Sequence, residues 1–196
     1  GLTVARLLHA HREELSGAVK FVFQPAEEGL GGARRMVAEG VLETPRPDIA
    51  LALHIWNDRP LGWLSVTPGP AMAASDRFRA VITGSGGHGA APHTTKDPVV
   101  AAAQVITALQ SIVARNVKPL EAAVVSVTAV NGGTAFNVIP STVELKGTFR
   151  SYLPEVRALV RKRIGEVVEG ISLAMGCLAE VEFKEITEAV INEAAT

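Results

Sequence analysis

The composition of this 196-residue chain, 47% hydrophobic and 20% charged, is that of a globular protein with enough apolar side chains for one or two cores. A formal net charge of -1 provides no basic surface, which argues against nucleic acids and membrane surfaces as partners. The single cysteine, Cys177, cannot form an internal disulfide and fits a reducing, cytoplasmic location. No segment reaches the roughly 20 apolar residues that a membrane-spanning helix requires, so we expect a soluble protein.

The first 73 residues alternate between helical and extended patterns. Residues 1–11 have the apolar spacing of a helix and no starting methionine, which indicates a truncated chain. Further along the chain, the pattern predicts strands at 18–23, 49–53 and 63–67 and a helix at 33–39. Strand, helix and strand in so short a span are typical of a parallel α/β sheet, whose ligands gather at the carboxyl ends of the strands.

A segment rich in proline, glycine and small residues, at 68–75, predicts a boundary between domains. We therefore divide the chain into a partial catalytic domain at 1–73, a second domain at 74–186, and the start of a return to the first domain at 187–196. Periodicity within the second domain predicts strands at 78–83, 123–129, 141–149 and 179–185, and helices at 98–115 and 154–174. The order β-α-β-β-α-β is that of a ferredoxin-like unit.

Polar side chains follow two of the predicted strands of the first domain. Glu27 and Glu28 follow the first strand, and His54 follows the second. Neighbouring carboxylates at a strand end point in different directions, so one can bind a metal while the other faces a substrate, and an imidazole can be a further ligand. Solvated surface glutamates and a hydrogen-bonded core histidine are the structural alternatives. The three residues form at most part of a zinc or manganese site, because a complete site needs three or more protein ligands.

Three polar residues of the second domain are also candidates. Glycines surround His88 in the loop 84–93, where the backbone can approach a ligand and the imidazole can donate to an oxyanion. This loop lacks the ending of a phosphate-binding loop, which argues against a nucleotide. Asn137 lies in an apolar setting and Arg150 ends a predicted strand with a guanidinium suited to a carboxylate. Each of the three also has a purely structural alternative.

Four motifs occur in a fixed order along the chain: residues 21–29 (Phe-Val-Phe-Gln-Pro-Ala-Glu-Glu-Gly), 53–54 (Leu-His), 86–93 (Gly-Gly-His-Gly-Ala-Ala-Pro-His), and 137–140 (Asn-Val-Ile-Pro) with 147–150 (Gly-Thr-Phe-Arg). In these motifs the chain resembles the metallopeptidase family of aminoacylases, hippurate hydrolase, carboxypeptidases and the plant auxin-conjugate (IAA-amino acid) hydrolases. The resemblance extends over essentially the whole chain. It implies an α/β fold in which a partial zinc-peptidase-like (phosphorylase/hydrolase-like) domain carries an inserted ferredoxin-like lid and dimerisation domain.

The resemblance also implies a reaction, which is metal-dependent hydrolysis of the amide bond of N-acyl amino acids or related conjugates. Two divalent metal ions per complete site are implied, zinc or manganese, with cobalt or nickel as further options. Glu27 would be the general base, and Glu28 and His54 would be metal ligands. His88 would stabilise the oxyanion in the active site of the opposite subunit of a homodimer formed through the lid. The substrate carboxylate would be held by Asn137 and Arg150.

The chain departs from the family in its metal ligands. The Cys-Gly-His-Asp-Gly-His motif, which supplies a cysteine and a histidine ligand, would be expected just before Gly1, and a final histidine ligand would be expected near the end of a complete enzyme. With only Glu28 and His54, the chain by itself is expected to bind metal poorly and to be inactive. A ferredoxin-like dimerisation or small-molecule binding module without catalysis, and a relative that binds amino-acid conjugates without hydrolysing them, are the alternative functions.

Overall fold

A computed structural model describes residues 1–29 and 31–195 of the chain. The chain divides into two compact units, Gly1–Leu64 and Ser65–Thr196. The first unit contains helices α1 (Leu2–Ala10) and α2 (Gly32–Ala38) and a short 3₁₀ turn at Arg12–Glu14. The structure therefore confirms the two helices predicted in this part of the sequence.

The prediction of three strands before the ferredoxin-like domain was wrong. Residues 18–23, 49–53 and 63–67 form no strand in the structure. A strand exists only where its backbone groups find a ladder partner, and these segments have none among residues 1–29 and 31–195. Their apolar side chains are exposed as well, with Leu51 at 86% and Leu53 at 80%, so burial does not stabilise them. The α/β sheet of the first unit is thus not formed within the described residues.

The second unit contains the longer elements of the molecule. Its helices are α3 (Pro98–Asn116) and α4 (Pro154–Ala174), and a short 3₁₀ turn lies at Pro92–Thr94. Within the described residues its strands are β1 (Gly69–Met72), β2 (Ala74–Thr83), β3 (Gly87–His88), β4 (Ala123–Asn131), β5 (Val138–Ile139), β6 (Thr142–Ser151), β7 (Leu178–Thr187) and β8 (Val190–Asn192).

A four-stranded antiparallel sheet with the order β4-β6-β2-β7 forms the centre of the second unit. With α3 and α4 it gives the order β-α-β-β-α-β, which confirms the predicted ferredoxin-like domain. Residues alternate along β2, so that Phe78, Ala80 and Ile82 are buried while Arg77 and Arg79 are exposed. The core lies between the helices and one face of the sheet, and the other face carries mostly polar side chains.

Helix α3 begins at a clear cap. The Asp97 carboxylate accepts hydrogen bonds from the backbone N–H groups of Val99 and Val100, at 2.8 and 3.3 Å, and Pro98 occupies the first helical position. By length and composition alone, α3 is apolar enough to cross a membrane, so the prediction that no segment of the chain meets this condition was wrong. The buried residues of the helix are Pro98, Ala101, Ala102, Val105, Leu109 and Ile112.

The chain enters and leaves the ferredoxin-like domain on neighbouring strands. β1 and β8 pair as a two-stranded antiparallel ribbon, in which Gly69 lies opposite Asn192. Arg157, on the first turn of α4, lies at the joint between this ribbon and the sheet. Its guanidinium donates to both carboxylate oxygens of buried Asp76, at 2.7 and 2.9 Å, and to Glu188 at 2.6 Å. Because Asp76 belongs to β2 and Glu188 lies between β7 and β8, one side chain connects both strands that border the joint.

Candidate active site

Glu27 and Glu28 lie on a turn that precedes α2. The turn is closed by a 2.7 Å hydrogen bond from the N–H of Gly29 to the carbonyl of Glu27. Both glutamates are exposed, and neither carboxylate has a hydrogen bond or ion pair within residues 1–29 and 31–195. They are available to an external ligand, and they are equally compatible with the solvated surface glutamates of the structural alternative.

His54 lies in an extended, exposed segment of the same unit. Its ring stacks at a tilt of 37° on Trp56, with 4.8 Å between the ring centroids. The alternative of a hydrogen-bonded core histidine is wrong, because this side chain is not buried.

The donors in the first unit suit a divalent metal in kind but not in number. A carboxylate from Glu28 and an imidazole from His54 are ligands that zinc and manganese accept. Over residues 1–29 and 31–195, however, no group of three or more histidine, cysteine, aspartate or glutamate side chains lies close enough to hold a metal ion. The described residues can therefore contribute ligands to a metal site, and further ligands must complete it.

His88 and Asn137 are brought together by a short ladder. Strand β3 pairs with β5, so that His88 lies opposite Val138 and directly beside Asn137. The N–H of Gly89 donates to the carbonyl of Asn137 at 2.8 Å, and both polar side chains are exposed. Nδ1 of His88 accepts the backbone N–H of Ala90 at 3.1 Å, which leaves Nε2 as the nitrogen that can donate to a ligand.

The glycines beside His88 are required by this close approach. A Cβ added to Gly86 would lie 2.4 Å from the carbonyl oxygen of Ile139, and one added to Gly89 would lie 3.1 Å from that of Asn137. The glycines let two segments of the same chain approach each other and present His88.

Arg150 lies at the other end of the domain. It is exposed on β6, opposite Ser75 on one side and Val124 on the other. Strand β6 begins at Thr142, next to the β3–β5 ladder, and at roughly 3.4 Å per residue Arg150 lies roughly 27 Å along it. A single copy of the domain thus brings His88 and Asn137 together but does not bring Arg150 to them.

A cavity of about 620 Å³, which the sequence did not predict, lies beside the Asn137 loop. Arg79 and Glu144 line it from the open face of the sheet, together with residues 131–135. Glu144 pairs with Lys146 at 2.8 Å and with Arg79, and hydrogen bonds from these two cations lower the pKa of its carboxyl. The signal was present in the sequence, because these residues occupy the outward positions of the alternating patterns, but the pairing of strands was needed to bring the charges together.

The geometry of these side chains does not identify a protein family, but similarity to known proteins does. Residues 1–175 match the model of Peptidase family M20/M25/M40. The chain belongs to this family.

Two curated relatives illustrate the similarity. N-acetylcysteine deacetylase of Bacillus subtilis (strain 168) is 43% identical over 189 residues, which cover 96% of this chain and 49% of that protein. IAA-amino acid hydrolase ILR1-like 4 of Arabidopsis thaliana is 45% identical over 184 residues, which cover 94% of this chain and 41% of that protein. The chain thus spans about half the length of the curated relatives it matches.

Solved structures of the M20/M25/M40 family agree with the fold. The crystal structure of the Bacillus subtilis YXEP protein, a dinuclear metal binding peptidase from the M20 family, superposes with a TM-score of 0.71 at 38% identity and covers 97% of this chain and 47% of that one. This neighbour bears out the α/β class and the partial peptidase-like architecture predicted from the motifs.

Proposed function

We propose that the complete protein containing these residues is a metal-dependent amidohydrolase that cleaves the amide bond of N-acyl amino acids. The observation that carries the proposal is the exposed turn with Glu27 and Glu28 in a chain that matches the M20/M25/M40 family over residues 1–175. The names of the relatives support the substrate class, since one deacetylates N-acetylcysteine and another hydrolyses IAA-amino acid conjugates.

In the proposed reaction, each of the exposed polar side chains has a role. Glu27 takes a proton from the attacking water and passes it to the leaving amine, and its exposure in the turn permits both transfers. Nε2 of His88 donates a hydrogen bond to the oxyanion that develops on the acyl carbonyl. Asn137 and Arg150 bind the substrate carboxylate, Asn137 through its side-chain amide and Arg150 through its guanidinium fork.

Glu28 and His54 are the residues proposed to hold metal. The dinuclear site of the YXEP neighbour supports two divalent ions, and the carboxylate and imidazole donors suit zinc or manganese, with cobalt or nickel as further options. When bound, such ions supply Lewis acidity that makes water a nucleophile near neutral pH. Ligands beyond the described residues complete the site in this proposal.

A homodimer through the ferredoxin-like domain is part of the proposal. Strand β4 is an edge of the sheet, it carries Val124 and Val130 half-exposed, and Phe136 in the following loop is fully exposed. The roughly 27 Å between Arg150 and the His88–Asn137 ladder also favours a site shared between two copies. His88 would then act in the active site of the opposite subunit.

The deciding experiment is a chimera in which residues 1–196 replace the matching 189-residue stretch of Bacillus subtilis N-acetylcysteine deacetylase. N-acetyl, hippuryl and indole-acetyl amino acids are offered with zinc or manganese, to the chimera and to the isolated chain. We expect hydrolysis by the chimera alone, and a loss of about 100-fold or more in kcat for Glu27→Gln, because general base catalysis contributes at least that much. Glu43→Gln, an exposed glutamate of the same unit, is the matched control.

A binding or dimerisation module without catalysis is the second candidate. Its support is that the ferredoxin-like domain has its own core, whereas the described part of the first unit has almost none. A folded, dimeric chimera that hydrolyses none of the three substrates, and in which Glu27→Gln changes nothing, would favour this module over the enzyme. A cytoplasmic location remains a prediction.

A further inference from the structure

One glycine in the first unit is packed more tightly than its surroundings. Gly32 is the only buried residue of Gly1–Leu64 within the residues that the structure describes there. A Cβ built on it would lie 1.7 Å from the carbonyl oxygen of Pro25 and 2.8 Å from the carbonyl carbon. Non-bonded carbon atoms do not approach a backbone oxygen to that distance, so no residue with a side chain fits at position 32 while Pro25 keeps its place.

The backbone that meets Gly32 is the one that leads into the two glutamates. Pro25 and Ala26 immediately precede Glu27, and the N–H of Gly32 lies 3.4 Å from the carbonyl oxygen of Ala26. Ala26 itself has a φ of 54°, in the left-handed region that residues with a Cβ rarely adopt. An uncommon backbone conformation persists where neighbouring structure holds it, and the start of α2 at Gly32 is the neighbouring structure here.

We propose that Gly32 is a positioning residue for Glu27 and Glu28. Because it has no side chain, the first turn of α2 can pack against the Pro25 carbonyl. The inference rests on the proposed function for the roles of the two carboxylates, but the packing of Gly32 against Pro25 does not depend on that function. A methyl group at position 32 moves the Pro25 carbonyl by more than about 1 Å, from 1.7 Å to an ordinary contact. Misplacement of a reacting group by about 1 Å costs on the order of 100-fold in rate, and metal–ligand distances tolerate only about 0.2 Å.

The neighbouring glycine provides a matched control. Gly31 has a φ of 76°, but a Cβ added to it meets no atom within 4 Å. Asparagine tolerates the left-handed region at modest cost, so Gly31→Asn adds a Cβ next to position 32 at a place where no atom lies within 4 Å of it. Gly32→Ala adds a single methyl group and displaces the turn.

The test compares Gly32→Ala, Gly31→Asn and the unsubstituted protein in the deacetylase chimera. We expect Gly32→Ala to lower zinc affinity, measured by calorimetry, by tenfold or more. It should also lower kcat at saturating zinc by tenfold or more while KM stays within about twofold, because the substrate-binding residues lie in the ferredoxin-like domain. Amide hydrogen exchange at residues 29 and 32, whose N–H groups donate to the carbonyls of Glu27 and Ala26, should accelerate relative to the amides of α3, which act as a reference within the same molecule. Gly31→Asn should stay within about twofold of the unsubstituted protein in every measurement.

Unchanged zinc affinity, kcat and exchange in Gly32→Ala would overturn the inference. Exchange that accelerates equally at residues 29 and 32 and in α3 would also overturn it, because this would mark general unfolding. The exchange comparison needs neither metal nor turnover. An inactive parent chimera that is indifferent to Glu27→Gln would therefore refute the proposed function, while the exchange at residues 29 and 32 would still decide whether Gly32 holds the turn in place.

Discussion

The two units of this chain differ in where their stabilising contacts come from. The ferredoxin-like domain pairs four strands with one another and buries side chains such as Phe78, Leu145 and Val160 almost completely. In Gly1–Leu64 the apolar side chains of the predicted strands are exposed, and those segments have no ladder partner among the described residues. The same apolar pattern thus gives a strand where antiparallel partners are close at hand, and an extended exposed segment where they are not.

Phenylalanine is buried in the core of one unit and exposed on the surface of the other, so its removal should have very different effects in the two units. Phe78→Ala, in the core beneath the sheet, should destabilise the ferredoxin-like domain by about 3 to 5 kcal/mol, because it removes a buried ring and leaves a cavity. Phe23→Ala, at 66% exposure in the first unit, should change the free energy of unfolding by about 0.5 kcal/mol or less. Urea unfolding followed by circular dichroism measures both, and equal effects would show that the first unit has a core of its own.

Replacing Arg157, at the joint between the ribbon and the sheet, should have a smaller but still large effect on the free energy of unfolding. Arg157→Met should destabilise the ferredoxin-like domain by about 2 to 3 kcal/mol, because it leaves the Asp76 carboxylate, 4% exposed, without its charged partner. Hydrogen bonding to Asp76, which raises the pKa of Arg157, keeps this guanidinium charged at every accessible pH. Arg163→Met on the same helix removes a half-exposed cation and is the control, expected to cost about 1 kcal/mol or less in the same unfolding measurement.

The smallest expected effect lies on the open face of the sheet and depends on pH. Hydrogen bonds from Lys146 and Arg79 lower the pKa of Glu144 below its ordinary 4.5. A carboxylate with a lowered folded-state pKa contributes its stabilisation in full above the ordinary value and loses it as the pH falls through the folded-state value. The difference in thermal unfolding midpoint between the unsubstituted chain and Glu144→Gln should therefore be constant above about pH 5.5 and shrink as the pH falls below the ordinary value. Glu180 is an exposed glutamate on β7, and Glu180→Gln should show no such trend if the ion pairs of Glu144 with Lys146 and Arg79 are the cause.

Regular patterns predicted most of the ferredoxin-like domain. Helix α4 was predicted at 154–174 and is observed at Pro154–Ala174, because its amphipathic spacing and initial proline are local signals. The strands of the domain were predicted within a few residues, with β2 beginning four residues before the predicted 78–83. The strands of the first unit were not, since a short apolar run does not state whether a partner strand lies beside it.

The candidate active site, like the fold, could be predicted only in part from the sequence. The residues at the turn and in the glycine-rich loop could be chosen from sequence because their types suit metal binding and hydrogen bonding. Their arrangement could not: Asn137 lies beside His88 through a ladder between distant segments, and Arg150 lies far from both on a long strand. Arg157 and Asp76, 81 residues apart, had no sequence signal to connect them.

The paired ribbon of β1 and β8 has a consequence for how such a domain can be gained or lost. Because Gly69 and Asn192 face each other across a ladder, the ends of the ferredoxin-like domain are only about 5 Å apart. A host protein can therefore accept the domain at a single hairpin turn, and removing it would leave a gap that two residues can bridge.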